Sequence, residues 1–250
     1  MKYIELPIDD IVSRYKNGES AIQIANYYNV SKLLIQRRLR LANAIKLPGW
    51  SSKKYTVNET FFDIIDNEPK AYWLGIFLTD GNTSGGVRLN LQSGDEEHIK
   101  KFQSDISSNH PIRIISEGKQ GTSCLHIGNK HLVKTLREKG IVPHNKRIYK
   151  VTEELEKHYW RGAIDGDGSI GYNKSFCISI VGTLETCDEF KCFCKKFIHT
   201  KANVSKDNNV YRFKLHGNIA MDVCHVLYNN ATIYLERKYQ KYIKLRQRAI

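Results

Sequence analysis

One short segment occurs twice in this chain, and that recurrence constrains the fold more than any other feature. Trp73-Leu-Gly-Ile-Phe-Leu-Thr-Asp-Gly81 returns as Trp160-Arg-Gly-Ala-Ile-Asp-Gly-Asp-Gly168, an interval of 87 residues from Asp80 to Asp167. Each copy reads as a short, mostly apolar helix ending in Asp-Gly. The interval is long enough for one small α/β unit, so two related units are expected. Small residues recur four apart, Gly75 with Thr79 and Gly162 with Gly166, and such a stripe lets a partner backbone approach closely. A single apolar helix closed by a glycine cap is common in any core. Two matching copies at a domain-length interval predict instead that the two helices pack on each other.

The helix ends carry the candidate chemistry. A carboxylate at a helix C-terminus sits at the negative end of the helix dipole. If Asp80 and Asp167 converge there, neither stays ionised cheaply without a cation between them. Two hard oxygen ligands with no Cys/His set nearby point to Mg²⁺ or Mn²⁺.

The net charge of +13 over 250 residues favours a polyanionic partner, nucleic acid ahead of an anionic membrane surface. No apolar run approaches membrane-spanning length, and Met1-Lys-Tyr-Ile-Glu-Leu-Pro7 has no signal-peptide core, so a soluble protein that is not secreted is expected. The cysteines at 124, 177, 187, 192, 194 and 224 form no CxxC pair and have no histidine at finger spacing. Reduced, half-buried thiols are the ordinary outcome of that pattern.

The N-terminal stretch has the spacing of a helix-turn-helix. Ile11, Val12 and Tyr15 mark a first helix, Gly18-Glu-Ser20 a turn and cap, and Ala21, Ile24, Ala25 and Tyr28 a second. Asn29-Val-Ser31 turns into a third helix running to about Ala42, with Ser31 as its N-cap. Val30, Ile35 and Leu39 fall on its core face. Lys32, Leu33, Gln36, Arg37 and Arg40 fall outside, a set suited to phosphates and to base edges in the major groove. A three-helix bundle with solvated basic residues is the competing reading. Lys46-Leu-Pro-Gly-Trp-Ser-Ser-Lys-Lys54 has linker composition. The organisation expected is a helix-turn-helix over 1–45, a basic linker over 46–60, and two repeats over 61–150 and 151–250.

Between the paired segments the pattern alternates as strands do. Val87, Leu89 and Leu91 interleave with Arg88, Asn90 and Gln92; Tyr211, Phe213 and Leu215 interleave with Arg212, Lys214 and His216. Leu125 and Ile127, set against Cys124 and His126, are the first-repeat counterpart of the latter. Helices over 97–106, 129–139, 184–197 and 218–228 can cover the apolar faces, which leaves a polar, cationic sheet face open.

At the paired segments the chain resembles the LAGLIDADG homing endonucleases in their single-chain, two-repeat form. Gly162-Ala-Ile-Asp-Gly-Asp-Gly168 with Ser169-Ile170 is a close match; the first copy has Leu78 where the family often carries an acid. The lead-in from Phe61 to Trp73 looks like the approach to the first motif in phage and bacterial members. The resemblance spans roughly residues 55–250 and implies an α+β fold. Two αββαββα repeats would sit about a pseudo-twofold axis, with the motif helices as interface and the sheets as a saddle on double-stranded DNA.

The same resemblance implies a monomeric, metal-dependent endonuclease hydrolysing phosphodiesters at a long asymmetric site, in the cytoplasm of a bacterial or phage-infected cell. Asp80 and Asp167, with the carbonyls of Thr79 and Gly166, would hold the metal. Lys146 and Lys238 would stabilise negative charge at the phosphate or polarise the attacking water, with His144 and Arg237 as neighbours able to substitute. Arg88, Asn90, Gln92, Arg212, Lys214 and His216 would meet DNA. Two alternatives share the fold: a DNA-binding regulator, which needs neither aspartate, and an intron RNA maturase. The aspartates favour the nuclease. The helix-turn-helix favours DNA, because A-form RNA hides its major groove.

Overall fold

The computed structural model describes residues 6–44, 55–115 and 121–247 and divides into two units, Met1–Lys54 and Tyr55–Ile250. The linker segment Lys46–Lys54 lies outside the described residues. Residues 55–60, expected to finish that linker, are instead bonded into the second unit. Thr56 N donates to Asn109 Oδ1 at 2.6 Å and Asn58 N to the Ile106 carbonyl at 2.9 Å.

In the first unit, polar residues set the helix boundaries. α1 (Ile8–Lys16), α2 (Ala21–Tyr27) and α3 (Lys32–Leu41) follow in order. Ser20 and Gln23 form a reciprocal capping box on α2, and Ser31 Oγ accepts from Leu34 N at 3.3 Å on α3. Gly18 and Asn29 take positive φ, +99° and +53°, at the two turns, a conformation glycine and asparagine tolerate best. Ile11, Ile24, Ile35 and Leu39 close a small core. Lys32, Leu33, Arg37 and Arg40 are exposed and Gln36 is half-buried.

The second unit runs α4 (Glu68–Thr79), β1 (Gly81–Asn82), β2 (Val87–Gln92), α5 (Glu96–Asp105), β3 (Ile112–Ile115), β4 (Thr122–Ile127) and α6 (Lys130–Glu138). The same order repeats as α7 (Glu153–Asp167), β5 (Ser169–Asn173), β6 (Ser175–Gly182), α8 (Leu184–Lys195), β7 (Ser205–Asp207), β8 (Val210–His216) and α9 (Gly217–Tyr228). A further helix, α10 (Glu236–Gln247), ends it. The fold is therefore α+β, αββαββα twice. Both sheets are four-stranded and antiparallel with matching orders, β1-β2-β4-β3 and β5-β6-β8-β7.

Alternation in β2 holds, with Val87 and Leu89 buried and Arg88, Asn90 and Gln92 exposed. In β6 Phe176, Ile178 and Ile180 alternate with Cys177 and Ser179, yet all five are buried, so this strand is covered on both faces.

α4 and α7 pack along their glycines. A methyl group on Gly75 would fall on the carbonyl of Tyr159, 2.9 Å from its carbon and 3.0 Å from Ala163 N. One on Gly162 would fall on the carbonyl of Tyr72, 2.9 Å from Ile76 N. The contacts are reciprocal, since Tyr72 and Tyr159, like Ile76 and Ala163, stand 87 residues apart. Outside this seam the repeats match again, with Trp73 packed on Phe102 at 4.9 Å and Trp160 on Phe190 at 5.3 Å between ring centroids.

Backbone against backbone leaves no soft side chain to yield. Gly162→Ala should therefore destabilise the second unit by about 3 kcal/mol or more, at or beyond the upper end for overpacking. Gly128→Ala, at an exposed position where an added methyl meets nothing within 4 Å, should stay within about 0.5 kcal/mol. Urea denaturation of the two variants checks the difference; equal midpoints would show that the helices separate readily.

Candidate active site

The Asp-Gly ends of α4 and α7 are tight exits from helix to strand. Asp80 N still donates to the Ile76 carbonyl at 2.9 Å, and Gly168 N to that of Ile164 at 3.0 Å. A side chain at Gly81 would lie 2.6 Å from Phe77 Cα, and one at Gly168 would lie 2.6 Å from Ile164 Cα. Glycine is needed because the strand leaves against the last helical turn. The preceding aspartate is thereby held at the seam.

The two aspartates meet there. A methyl on Gly166 would lie 2.7 Å from Asp80 Oδ2, so the Asp80 carboxylate sits over Gly166, next to Asp167. Burial, and then the charge of Asp167, push the Asp80 carboxyl up to about 6, against the pull of Lys238, Lys146 and Arg237. Among the described residues no hydrogen bond or ion pair reaches either carboxylate. Hard, negatively charged and unpartnered, the pair has the donor chemistry of a divalent-cation site.

The two lysines expected at the phosphate each hold backbone carbonyls in this arrangement. Lys146 Nζ donates to the Thr79 carbonyl. Lys238 Nζ lies 2.7 Å from each of four carbonyl oxygens, those of Ile164, Asp165, Gly166 and Gly168. Thr79 and Gly166 are equivalent positions, so each lysine places its charge at the negative end of one motif helix. Burial pushes the Lys146 ammonium down and that of Lys238 down to about 8, while nearby carboxylates oppose the shift.

An ammonium has three donors, so Lys238, 6% exposed, has none left for a phosphate. Lys146 keeps two. Both carbonyls expected as metal ligands, Thr79 and Gly166, already accept a lysine hydrogen bond. Of the possible substitutes, His144 is exposed, and Arg237 is ion-paired with Asp95 at 2.9 Å.

Two buried polar residues of α7, quoted in the repeat but given no role from sequence, build the frame. Asp165 accepts from Tyr72 Oη at 2.8 Å, Tyr228 Oη at 2.6 Å and Leu235 N at 2.7 Å. Burial raises its carboxyl, partly offset by these donors and by Lys238. Tyr72 Oη, having spent its proton on Asp165, accepts from His98 Nε2 at 2.7 Å, which leaves Nδ1 bare and without a partner. Burial, with Lys101 and Arg237, holds His98 down at about 3, hence neutral. Asp165 thus fixes the start of α10, the helix that brings Lys238 back to α7.

Arg161, fully buried, donates to the carbonyls of Ile233 at 2.8 Å and Leu227 at 2.8 Å and to Glu68 Oε1 at 2.6 Å. Glu68 lies on α4, so the pair joins the repeats. Burial opposes charge on Glu68, but His158, Thr232 N and Arg161 prevail and hold its carboxyl down at about 2. The equivalent positions in α4 are Leu74 and Leu78, both buried among apolar neighbours. Leu78, where the family often has an acid, therefore fills core space. The signal for this network was the Leu-to-acid and Leu-to-arginine difference between the copies.

On the sheets, Arg88, Asn90, Gln92 and His216 are exposed, while Arg212 and Lys214 are half-buried. Register puts Arg88 between Asn82 and His126, and Cys124 between Asn90 and Arg113, on the same face. Asn82 and Arg113 carry no signal in the sequence because β1 and β3 are too short to show a period, whereas His126 follows from its alternation with Leu125 and Ile127. Cys124, expected on the polar face, is buried there, and burial raises its thiol against the opposing charges of Arg88 and Arg113. Arg212 is ion-paired with Asp207 at 2.8 Å.

No family model and no curated protein sequence matches the chain. Solved structures do. Full-length DUF199/WhiA from Thermatoga maritima is 13% identical over 77% of this chain, with a TM-score of 0.51; the match spans 65% of that chain, just under two thirds. The N-terminal LAGLIDADG domain of DUF199/WhiA is 14% identical over 68% of this chain and 89% of its own, TM-score 0.48. The LAGLIDADG meganuclease I-AabMI bound to uncleaved DNA is 13% identical over 74% and 90%, TM-score 0.49. At such identities the full-length likeness speaks for a shared fold and leaves the chemistry to this chain's residues. Among the described residues no helix is long and apolar enough to cross a membrane.

Breaking the Glu68–Arg161 pair from either side should be costly. Arg161→Leu takes the arginine from a half-buried carboxylate, which keeps Thr232 N and His158, and from two carbonyls, and should cost about 3 kcal/mol at pH 7. Because the Glu68 carboxyl is depressed from 4.5 to about 2, its stabilisation is complete above pH 4.5 and vanishes as pH falls through 2. Urea melts should show the gap between wild type and Glu68→Gln closing over that window. A pH-independent gap would mean that packing, and not the ion pair, is lost.

Proposed function

We propose that this protein is a site-specific endonuclease of double-stranded DNA that works as a monomer and depends on Mg²⁺ or Mn²⁺. The observation that carries this reading is the meeting of two unpartnered carboxylates, Asp80 and Asp167, where α4 and α7 abut. Asp80 and Asp167 would hold the cation. When bound, it would supply Lewis acidity at the scissile phosphodiester and a lowered pKa for the attacking water.

The remaining roles fall to the chain itself. Lys146, with donors to spare, would stabilise charge developing on phosphate. Lys238 is a positioning residue, holding the end of α7 and with it Asp167. Because the Thr79 and Gly166 carbonyls are engaged, solvent would complete the coordination. The open faces of both sheets would lie on the duplex. The basic face of α3 would lengthen the recognised site, as in helix-turn-helix proteins.

A second reading, DNA binding without cleavage, draws support from those same engaged carbonyls, which leave few protein ligands beside the two carboxylates. A plasmid carrying a site selected from random duplexes separates the two. Wild type should linearise it with Mg²⁺ or Mn²⁺ and leave it intact with chelator. Asp80→Asn and Asp167→Asn should abolish cutting while retaining or tightening binding, since each removes a negative charge near phosphate. Specific binding with no cutting under any divalent ion would establish the non-catalytic reading.

The division of labour between the units is testable in the same assay. Removal of residues 1–54 should weaken binding and make it less salt-dependent, because fewer phosphates are neutralised. Saturating DNA should restore the cutting rate. An unchanged salt slope and footprint would reduce the first unit to a structural bundle.

A further inference from the structure

The polar face of the second sheet carries one acid where an acid works against the rest of the surface. Ser205 on β7 lies opposite Arg212 on β8, and Asp207 lies opposite Val210, so Asp207 and Arg212 are diagonal neighbours on one face, with Lys214 and His216 further along β8. Arg212 Nε and Nη2 both donate to Asp207 Oδ2, at 3.1 and 2.8 Å. The side chains keep 39% and 42% of their exposure, so neither is committed to the core. Exposed ion pairs of this kind add little to stability, and a carboxylate on a face that meets phosphate lowers affinity for every DNA sequence alike. What the pair does supply is orientation.

A guanidinium has five N–H donors in a rigid fork. Asp207 takes Nε–H and one Nη2–H, along one edge. The end-on pair, one Nη1–H and the other Nη2–H, stays free and aimed away from the acid. That pair matches the two acceptors, O6 and N7, that guanine alone presents side by side in the major groove. Ser205 and Val181, the cross-strand neighbours of Arg212, are small and leave the stem room.

We propose that Arg212 reads one guanine in the half-site beneath the second repeat, and that Asp207 is a positioning residue holding the fork for that contact. The proposal rests on the DNA-binding reading above and refines it. Arg212 becomes a specificity-determining group, and Asp207 trades general affinity for base choice.

The test uses the full chain and a pool of randomised duplexes, with binding measured without divalent ion so that cleavage does not intervene. Wild type should select a site with one position where guanine exceeds other bases by about five- to 150-fold, the span of a good bidentate contact. Asp207→Ala and Asp207→Asn should cut that preference to under about threefold, with unchanged or stronger total binding and no loss of salt dependence. Arg212→Ala should abolish the preference. Replacing the selected guanine by 7-deazaguanine should weaken wild type and leave Arg212→Ala unaffected, while inosine, which keeps O6 and N7, should be tolerated. The proposal is overturned if no guanine preference depends on Arg212, or if the Asp207 variants change affinity uniformly without changing base choice. A chain that binds every duplex alike would overturn the site-specific reading as well.

Discussion

The close approach of α4 and α7 is the contact on which the rest depends. Gly75 and Gly162 let each helix rest on the other's carbonyl backbone, and that contact sets everything at the helix ends. It brings Asp80 over Gly166, leaves the two carboxylates unpartnered, and stacks two negative dipole ends at one place. A seam even one methyl wider would separate the acids and dissolve the site.

Such a concentration of negative charge needs compensation, and the chain provides part of it internally. Lys146 and Lys238 cover the carbonyls of equivalent residues, Thr79 and Gly166. They do so unequally. Lys146 makes one such bond, whereas Lys238 is enclosed by four carbonyls and anchored through α10. The second repeat supports that enclosure with Asp165 and Arg161, whose counterparts Leu78 and Leu74 serve only packing. The two halves are thus alike in backbone and different in polar framework. Buried polar residues are held in α7 because each has its partners: Asp165 receives three donors and Arg161 reaches two carbonyls and Glu68. Deprived of them, the same residues would cost several kcal/mol.

Much of this was legible in the sequence where a residue type admits few conformations or faces. The recurrence of Gly75 and Gly162 pointed to the seam, the Asp-Gly ends to the acids, Ser31 to the start of α3, and alternation to β2 and β8. Legibility failed where the cause lay outside the local window. β1 and β3 are too brief to show a period, and residues 55–60, polar in composition, are held by Ile106 and Asn109 far along the chain.

By itself, the sequence determined that two equivalent helices must pair, that their final aspartates would be neighbours, and that a small capped three-helix unit precedes them. Those are consequences of glycine's missing Cβ, of helix periodicity and of side-chain capping, all of them local. Only the tertiary structure decided where the lysines point. Lys238 read as a basic residue free to meet phosphate, and became a buried cap on α7 because α10 folds back with Leu235 N on Asp165. Likewise Arg212 read as one of several cations on an open face expected to meet DNA, and the turn between β7 and β8 set it against Asp207. A long charged side chain can reach many partners, so its sequence position says little about which one it takes; that choice is made by the backbones that surround it.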